Sequence, residues 1–393
     1  MTISCASTGS SGKNGSKEEN NNTSSKNVTV ITQGDNKKED VGNKYGDYYY
    51  NNEAFYKSIY DVTKIDLSKF KDEKIDKLSI EQIDLPIPQG YELNRYIHFI
   101  DNTSFIYGVS SPNLTDRKIF KYSINTGKSI CLYEGEIIVM NDIYNSMFKI
   151  LNNGNFVVNV SKENRCNILI FDKNTGSPLK EIICPKQQIN YDISYDGDKI
   201  AYSDEKGIHV CDTDFSNNKL ILNSSIVEKS YGNGFSAQVL FWTKDNKISY
   251  GLGWAEEQIG IGVISPDGKN NIFVNSGDVM NCFFFPDGKR VINNYGILNF
   301  STKEFQLIPC YHKGIGNGVL DSMSFPCPDG EKFIFSCLGT DKSKLYIVDF
   351  KSKKIIYVGE DASFIDWSLD GKSFLFVNQS CAKNEISYIN LNN

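Results

Sequence analysis

The feature that most restricts this chain is a tight-turn dipeptide that keeps returning between runs of alternating apolar residues. It appears as Asp101-Asn102, Asn153-Gly154, Asp196-Gly197, Asp245-Asn246, Asp287-Gly288, Asp329-Gly330 and Asp370-Gly371. The interval is about 41 to 52 residues, the period of a repeat architecture. Ile365-Asp366-Trp367-Ser368-Leu369 before the last turn and Ser373-Phe374-Leu375-Phe376-Val377 after it show the pattern. Period-two alternation on both sides of such a pair marks an antiparallel hairpin, because the turn needs the positive φ that Gly and Asn tolerate.

A second turn follows each hairpin at a nearly fixed offset. It reads Asn125-Thr126-Gly127, Asn174-Thr175-Gly176, Asp212-Thr213-Asp214, Pro266-Asp267-Gly268, Ser301-Thr302-Lys303 and Lys351-Ser352, each leading into another short apolar run. Four antiparallel strands in about 42 residues make one blade of a β-propeller. The last unit lacks its fourth strand: 385–391 supplies the third, and the stretch 77–83, ahead of the first full repeat, is the available partner. Pairing those two stretches closes the ring and leaves no open edge at the join. The expectation is an all-β, seven-bladed β-propeller over residues 75–393, closed by an N-terminal strand.

Phe284-Phe285-Pro286-Asp287-Gly288-Lys289 and Trp367-Ser368-Leu369-Asp370-Gly371-Lys372 resemble the repeats of TolB-like propellers, within the wider WD40-like class. Those repeats run aromatic, Ser, Pro, Asp, Gly, Lys and then an apolar strand. The resemblance spans about residues 90–393 and is concentrated at the Asp-Gly turns; the turns at Asn102, Gly154 and Asn246 depart from it. It implies an extracytoplasmic scaffold used for protein or ligand contacts, and architecture by itself fixes no partner.

Ahead of the repeats, residues 1–44 are rich in Ser, Thr, Asn, Gly and Lys with nearly balanced charge. So little apolar surface cannot offset the entropy of ordering, so this arm is expected to be disordered. Residues 45–74 are more apolar, with weak helical spacing, and are expected to pack on the domain edge. Thr2-Ile3-Ser4-Cys5 followed by small residues resembles a bacterial lipoprotein processing site, with Thr2 where Leu is usual. That resemblance implies lipidation at Cys5 and attachment to the outer face of the cell membrane by the lipid alone; a cytoplasmic scaffold is the alternative if Met1 is the true start. No apolar run reaches the length of a membrane-spanning helix.

Chemistry-bearing motifs are few. A net charge of −6 gives no electrostatic reason to bind nucleic acid. The nine cysteines beyond Cys5 form no C-x-x-C pair; most, such as Cys131 in Ile130-Cys131-Leu132, read as small buried hydrophobes, and no metal or other cofactor is expected. Asp192-Ile193-Ser194-Tyr195-Asp196-Gly197 and Asp366-Trp367-Ser368-Leu369-Asp370-Gly371 imitate the opening of a calcium loop. Ser203 and Val377 stand where that loop needs its bidentate Glu, so strand ending in turn is the better reading. His98 and His209 alternate with apolar neighbours on strands of different blades, and no G-x-S-x-G nucleophile turn occurs.

Antiparallel connectivity puts the short Asp-Gly turns on one face and the irregular loops on the other. Loops on a rigid scaffold are where binding resides. Tyr231, Trp254, Glu256, Glu257, Tyr311 and His312 are the candidate binding residues there. If the closing strand is outermost, the arm leaves from the turn face and points the loop face away from a membrane. The sequence thus favours a monomeric, non-catalytic binding scaffold for a protein or cell-envelope ligand; the alternative is a propeller enzyme, lactonase- or cyclase-like, with a site at the channel mouth.

Overall fold

The computed structural model describes residues 60–74, 80–113, 116–135, 148–162, 165–184, 191–231, 236–254, 257–274, 283–293, 296–308, 324–338, 343–378 and 385–391. These residues form a seven-bladed β-propeller whose blades follow one another in sequence: 92–135, 148–183, 191–223, 236–274, 283–307, 324–360 and 362–390. In blades 1 to 6 the four strands lie side by side in chain order, the first at the axis and the fourth at the rim. Blade 7 takes its rim strand from the other end of the chain. Ile80–Asp84 runs antiparallel to Glu385–Asn390, with Ile80 opposite Ile389 and Ile83 opposite Ile386.

Each blade is apolar on both faces, as a sheet packed between two others must be; Ser104–Ser110 in blade 1 is buried along its whole length. The core is therefore a series of inter-blade seams. Phe148, Phe156 and Phe171 of blade 2 meet Ile100, Ile106 and Ile119 of blade 1. Trp242, Tyr250 and Phe273 of blade 4 meet Ala201, Ile208 and Val210 of blade 3. At the closing seam Ile83, Leu85, Leu375 and Ile386 meet Phe99, Phe105 and Tyr107.

The turns expected at the Asp-Gly pairs are present. Gly154, Gly197, Gly288, Gly330 and Gly371 have φ between 64° and 84°, and Asn246 takes their place in blade 4 at 60°. The turn aspartates also brace the backbone. Asp196 accepts from Ser194 Oγ at 2.5 Å and from the Asp198 amide at 3.1 Å, and Asp370 repeats this with Ser368 Oγ and the Lys372 amide. The Ser194 hydroxyl holds the Asp196 carboxyl below its ordinary value, and the Lys269 amide does the same for Asp267 in a second-turn position. A carboxylate depressed in the fold stabilises above its unfolded pKa of about 3.9 and loses that contribution as pH falls through its folded value. Stability, followed by urea midpoint, is accordingly expected to hold from neutrality to about pH 4 and to fall below it.

Two features differ from the sequence expectations. Over 61–74 the weak helical spacing gives way to strand: Asp61–Lys64 adds a parallel fifth strand to the rim of blade 5, and Lys71–Lys74 does so on blade 6. A 3-10 turn, Leu67–Lys69, lies between them, and Leu67 is buried against Phe285 and Phe333. Cooperation with a strand edge, which local spacing does not report, decides the conformation. Second, Cys131 is exposed on the rim strand of blade 1, whereas Cys184, Cys211 and Cys327 are buried. A rim strand shows one edge and part of a face to water, so apolar neighbours in sequence do not guarantee burial. Burial pushes the Cys211 thiol up to about 11. Alkylation of the native protein, read by peptide mass spectrometry, is expected to label Cys131 while these three buried thiols react only after unfolding.

Candidate functional site

Strand direction places the expected binding residues on the loop face wherever they are described. Trp254 ends the second strand of blade 4 and Glu257 opens the third, the two standing opposite each other at the tip of one hairpin. Tyr231 is the last residue of the helix Ser224–Tyr231, which joins blade 3 to blade 4; the Asn223 side chain caps that helix by accepting the Ser225 amide at 2.9 Å. Ser236, which opens blade 4, pairs with Gly253, so Tyr231 and Trp254 approach the same end of one blade. Glu256, Tyr311 and His312 lie outside the described residues, as does Cys5.

The axis carries a second constellation that sequence reading missed. Each inner strand sets one side chain at the same level ahead of its turn: His98, Lys149, Asp192, Phe241, Phe283, Phe325 and Asp366. Side chains at or beside this level join every pair of neighbouring blades. Between blades 7 and 1, Asp366 Oδ2 accepts the Phe99 amide at 2.8 Å and stands 3.5 Å from His98 Nδ1. His98 in turn stacks on Phe148 of blade 2, centroids 4.9 Å apart. Lys149 donates to the Asp192 carboxylate of blade 3, to the Ile193 carbonyl at 2.7 Å and to the Trp242 carbonyl at 3.3 Å, and its ammonium sits 4.6 Å from the centre of the Tyr195 ring. Asp192 also accepts the Trp242 amide of blade 4.

From blade 4 onward the links become aromatic. Phe241 meets Phe284 edge to face at 4.9 Å, Phe283 meets Phe325 at 4.7 Å, and Phe325 meets Phe364 at 4.7 Å. The girdle is thus ionic on one arc and aromatic on the other. Lys149 and Asp192 are buried, and burial pulls the Lys149 ammonium below its ordinary value against the opposing pull of Asp192. Both groups are engaged by the fold. The half-buried members, His98, Phe241, Phe283, Phe284, Phe325, Phe364 and Asp366, are the ones an axial ligand could touch.

The signal for the ionic arc was in the sequence. The two calcium-like hexapeptides both begin with the seam carboxylate, Asp192 or Asp366, and carry the turn aspartate, Asp196 or Asp370, just before their final glycine. One bonds to the next blade and the other to its own turn, which is why two acids recur at that spacing without a metal-binding twelfth residue. Among the described residues no group of three or more His, Cys, Asp or Glu side chains is placed to hold a metal ion.

Comparison with solved structures gives the same architecture. An oligogalacturonate lyase in complex with manganese superposes with a TM-score of 0.53 at 13% identity, over 80% of this chain and 96% of that one. The oligogalacturonate lyase of Vibrio parahaemolyticus gives 0.52 at 12% identity over the same shares. TolB from Acinetobacter baumannii is matched at 0.41 and 10% identity, over 65% of this chain and 66% of its own. The likeness is one of fold. At these identities the two lyase structures show the β-propeller fold expected from the Asp-Gly repeats and assign no chemistry. No protein-family model and no curated protein sequence matches the chain. No helix among the described residues is long and apolar enough to cross a membrane.

Proposed function

We propose that this chain is a surface lipoprotein, attached through Cys5 at the outer face of the cell membrane, whose propeller binds a protein or cell-envelope ligand on its loop face without turning it over. The observation that carries this reading is the asymmetry of the two faces. Every first-to-second turn is short and closed on itself by backbone hydrogen bonds and by those of its aspartate or, in blade 2, of Asn153. The strand ends at which the chain leaves one blade and enters the next, Gly135 and Phe148, Ile183 and Tyr191, Asn223 and Ser236, Val274 and Phe283, and Leu307 and Ser324, all lie at the opposite face. Strand direction supports the orientation. Asp61 pairs with Glu304 at the turn-face end of the blade 5 rim, so the chain enters the propeller from the turn face and a tether there leaves the loops facing outward.

The test pairs Trp254→Ala with His312→Ala and compares proteins and glycans retained from a cell-envelope extract with those retained by the unsubstituted chain. Loss of a retained species is expected, with Lys269→Ala on the turn face as the control. An unchanged profile removes this face from consideration. Mass spectrometry of the native amino terminus checks the anchor, a diacylglyceryl group on Cys5 being the expected result.

The His98–Asp366 pair favours a second reading, an enzyme working at the mouth of the channel. An imidazole beside a carboxylate is an arrangement suited to proton transfer, and the aromatic arc beyond it offers a face for a ring. A thermal-shift screen of lactones and oligosaccharides would support this reading if a stabilising compound lost its effect in His98→Asn.

A further inference from the structure

The aromatic arc at the axis is built as a wall. Phe241 and Phe284 meet at the inner mouth of the seam between blades 4 and 5, Phe283 and Phe325 at that between blades 5 and 6, and Phe325 and Phe364 at that between blades 6 and 7. All five are half-buried. Successive planes tilt by 46° from Phe283 to Phe325 and by 37° from Phe325 to Phe364, as the panels of a curved wall do. Buried rings stand behind them: Phe300 stacks on Phe284 at 5.5 Å, and Trp367 and Phe374 back Phe364 at 5.8 and 6.5 Å. A surface held from behind in this way is preorganised, and a ligand need not pay to order it.

Backbone irregularities fall at both ends of this wall. The inner strands Ser236–Trp242 and Ala362–Trp367 slip register just before their girdle residue, between Val239 and Phe241 in blade 4 and between Phe364 and Asp366 in blade 7. Leu240 and Ile365 are the extra residues, and a bulge of this kind re-aims the side chain that follows it. In blade 7 that side chain is a carboxylate. Asp366 accepts the Phe99 amide at 2.8 Å through Oδ2 and the Trp367 amide at 2.9 Å through Oδ1, and its side chain remains 29% exposed. Ring surface therefore runs from blade 4 round to a fixed carboxylate that still touches solvent.

That composition selects among ligands. Phenyl rings offer neither donor nor acceptor, so a polyhydroxylated molecule laid on this wall would leave hydroxyls unpaired. An uncharged apolar molecule would strip water from Asp366 without replacing it. A metal ion needs several oxygen or nitrogen ligands, and among the described residues no group of three or more His, Cys, Asp or Glu side chains is placed to supply them. An alkylated ammonium suits both parts of the surface. Its charge answers Asp366, and the negative faces of the rings attract it where its alkyl groups shed water. Lys149 does not compete for the wall, because it is buried in the ionic arc against Asp192.

We propose that the wall of Phe241, Phe283, Phe325 and Phe364, ending at Asp366, binds an alkylated ammonium group, held by cation–π contact with the rings and by the Asp366 carboxylate. The inner strands run toward their turns, so the site opens at the turn-face mouth of the channel. Trp254 and Glu257 lie at the opposite face, so occupation of the axial site is a separate event from capture at the loops and involves no turnover. The ammonium can arrive on a free molecule or as a lipid headgroup; the chemistry recognised is the same.

Isothermal titration calorimetry of the full chain tests this, with choline set against the uncharged isostere in which a tert-butyl group replaces the trimethylammonium. Choline is expected to bind at least about tenfold more tightly. Phe325→Leu keeps apolar volume but removes a π face, and should weaken choline about five- to thirtyfold, while Phe325→Tyr retains it. Asp366→Asn, which still accepts the Phe99 amide, should weaken it by a similar factor and tests the same wall from its other end. Cosedimentation with phosphatidylcholine vesicles, phosphatidylglycerol vesicles being the control, forms the second arm. Binding of free choline assigns a soluble cation, and retention by phosphatidylcholine vesicles alone assigns a headgroup; either sustains the site if Phe325→Leu or Asp366→Asn loses it. Failure in both arms overturns the proposal. Equal binding of the isostere overturns it too, because the wall is then merely apolar. So does binding that both substitutions leave unchanged, since the cation then sits elsewhere.

Discussion

Replacing Asp192 by alanine is expected to cost about 3–5 kcal/mol, the range for removing one partner of a buried ion pair. The substitution leaves the Lys149 ammonium inside the protein with only the Ile193 and Trp242 carbonyls and the Tyr195 ring for company, and orphans the Trp242 amide as well. Burial already pulls Lys149 down, so the variant should relieve itself partly by deprotonating. Asp192→Asn keeps an acceptor for the Trp242 amide and should cost less than alanine. Adding Lys149→Met to Asp192→Asn should recover much of the loss, because the uncompensated charge goes with the lysine. Urea unfolding of the four proteins measures all of this. A loss under about 1 kcal/mol for Asp192→Ala would show that the girdle ornaments the seams and does not hold them.

The second large effect concerns ring closure. A chain beginning at residue 86 lacks Ile80–Asp84, exposing one edge of Glu385–Asn390 and uncovering Ile386 and Ile389, both fully buried in the intact molecule. The closing seam between blades 7 and 1 also loses Ile83 and Leu85, each 2% exposed. Because the ring shares load around its circumference, one open blade weakens the seams on both sides. The truncated chain is expected to lose its cooperative thermal transition and its near-ultraviolet circular dichroism, and a synthetic 78–85 peptide added in trans should restore part of both. The milder Ile83→Ala should cost about 2–5 kcal/mol while the protein stays folded. A truncated chain that melts cooperatively within a few degrees of the full one would be incompatible with closure by this strand.

Much of this was legible before any coordinates. The hairpins were marked by Asp-Gly pairs because positive φ at Gly197 or Gly371 is a local demand that few residues meet. The closing strand could be inferred from a deficit, three strands where four were needed, and it lies within four residues of that estimate. The candidate residues on the loop face were named from connectivity, which fixes the face and not the contacts. What escaped was whatever depends on a neighbouring blade. Cys131 reads as core from its flanks, and its exposure is set by the rim position of its strand. Residues 61–74 read as weakly helical, and the rims of blades 5 and 6 made them strands. The His98–Asp366 pair joins residues from the two ends of the repeat array, a proximity no window of sequence contains.

The sequence by itself determined the repeat, the number of blades, the turn chemistry and the need for a borrowed strand, since each follows from local backbone preference and from counting. Only the tertiary structure decided which carboxylates face a neighbouring blade, how an ionic arc passes into an aromatic one around the axis, and where the lead-in lies. Those depend on which sheet stands beside which, and in a closed ring that is settled when the first blade meets the last.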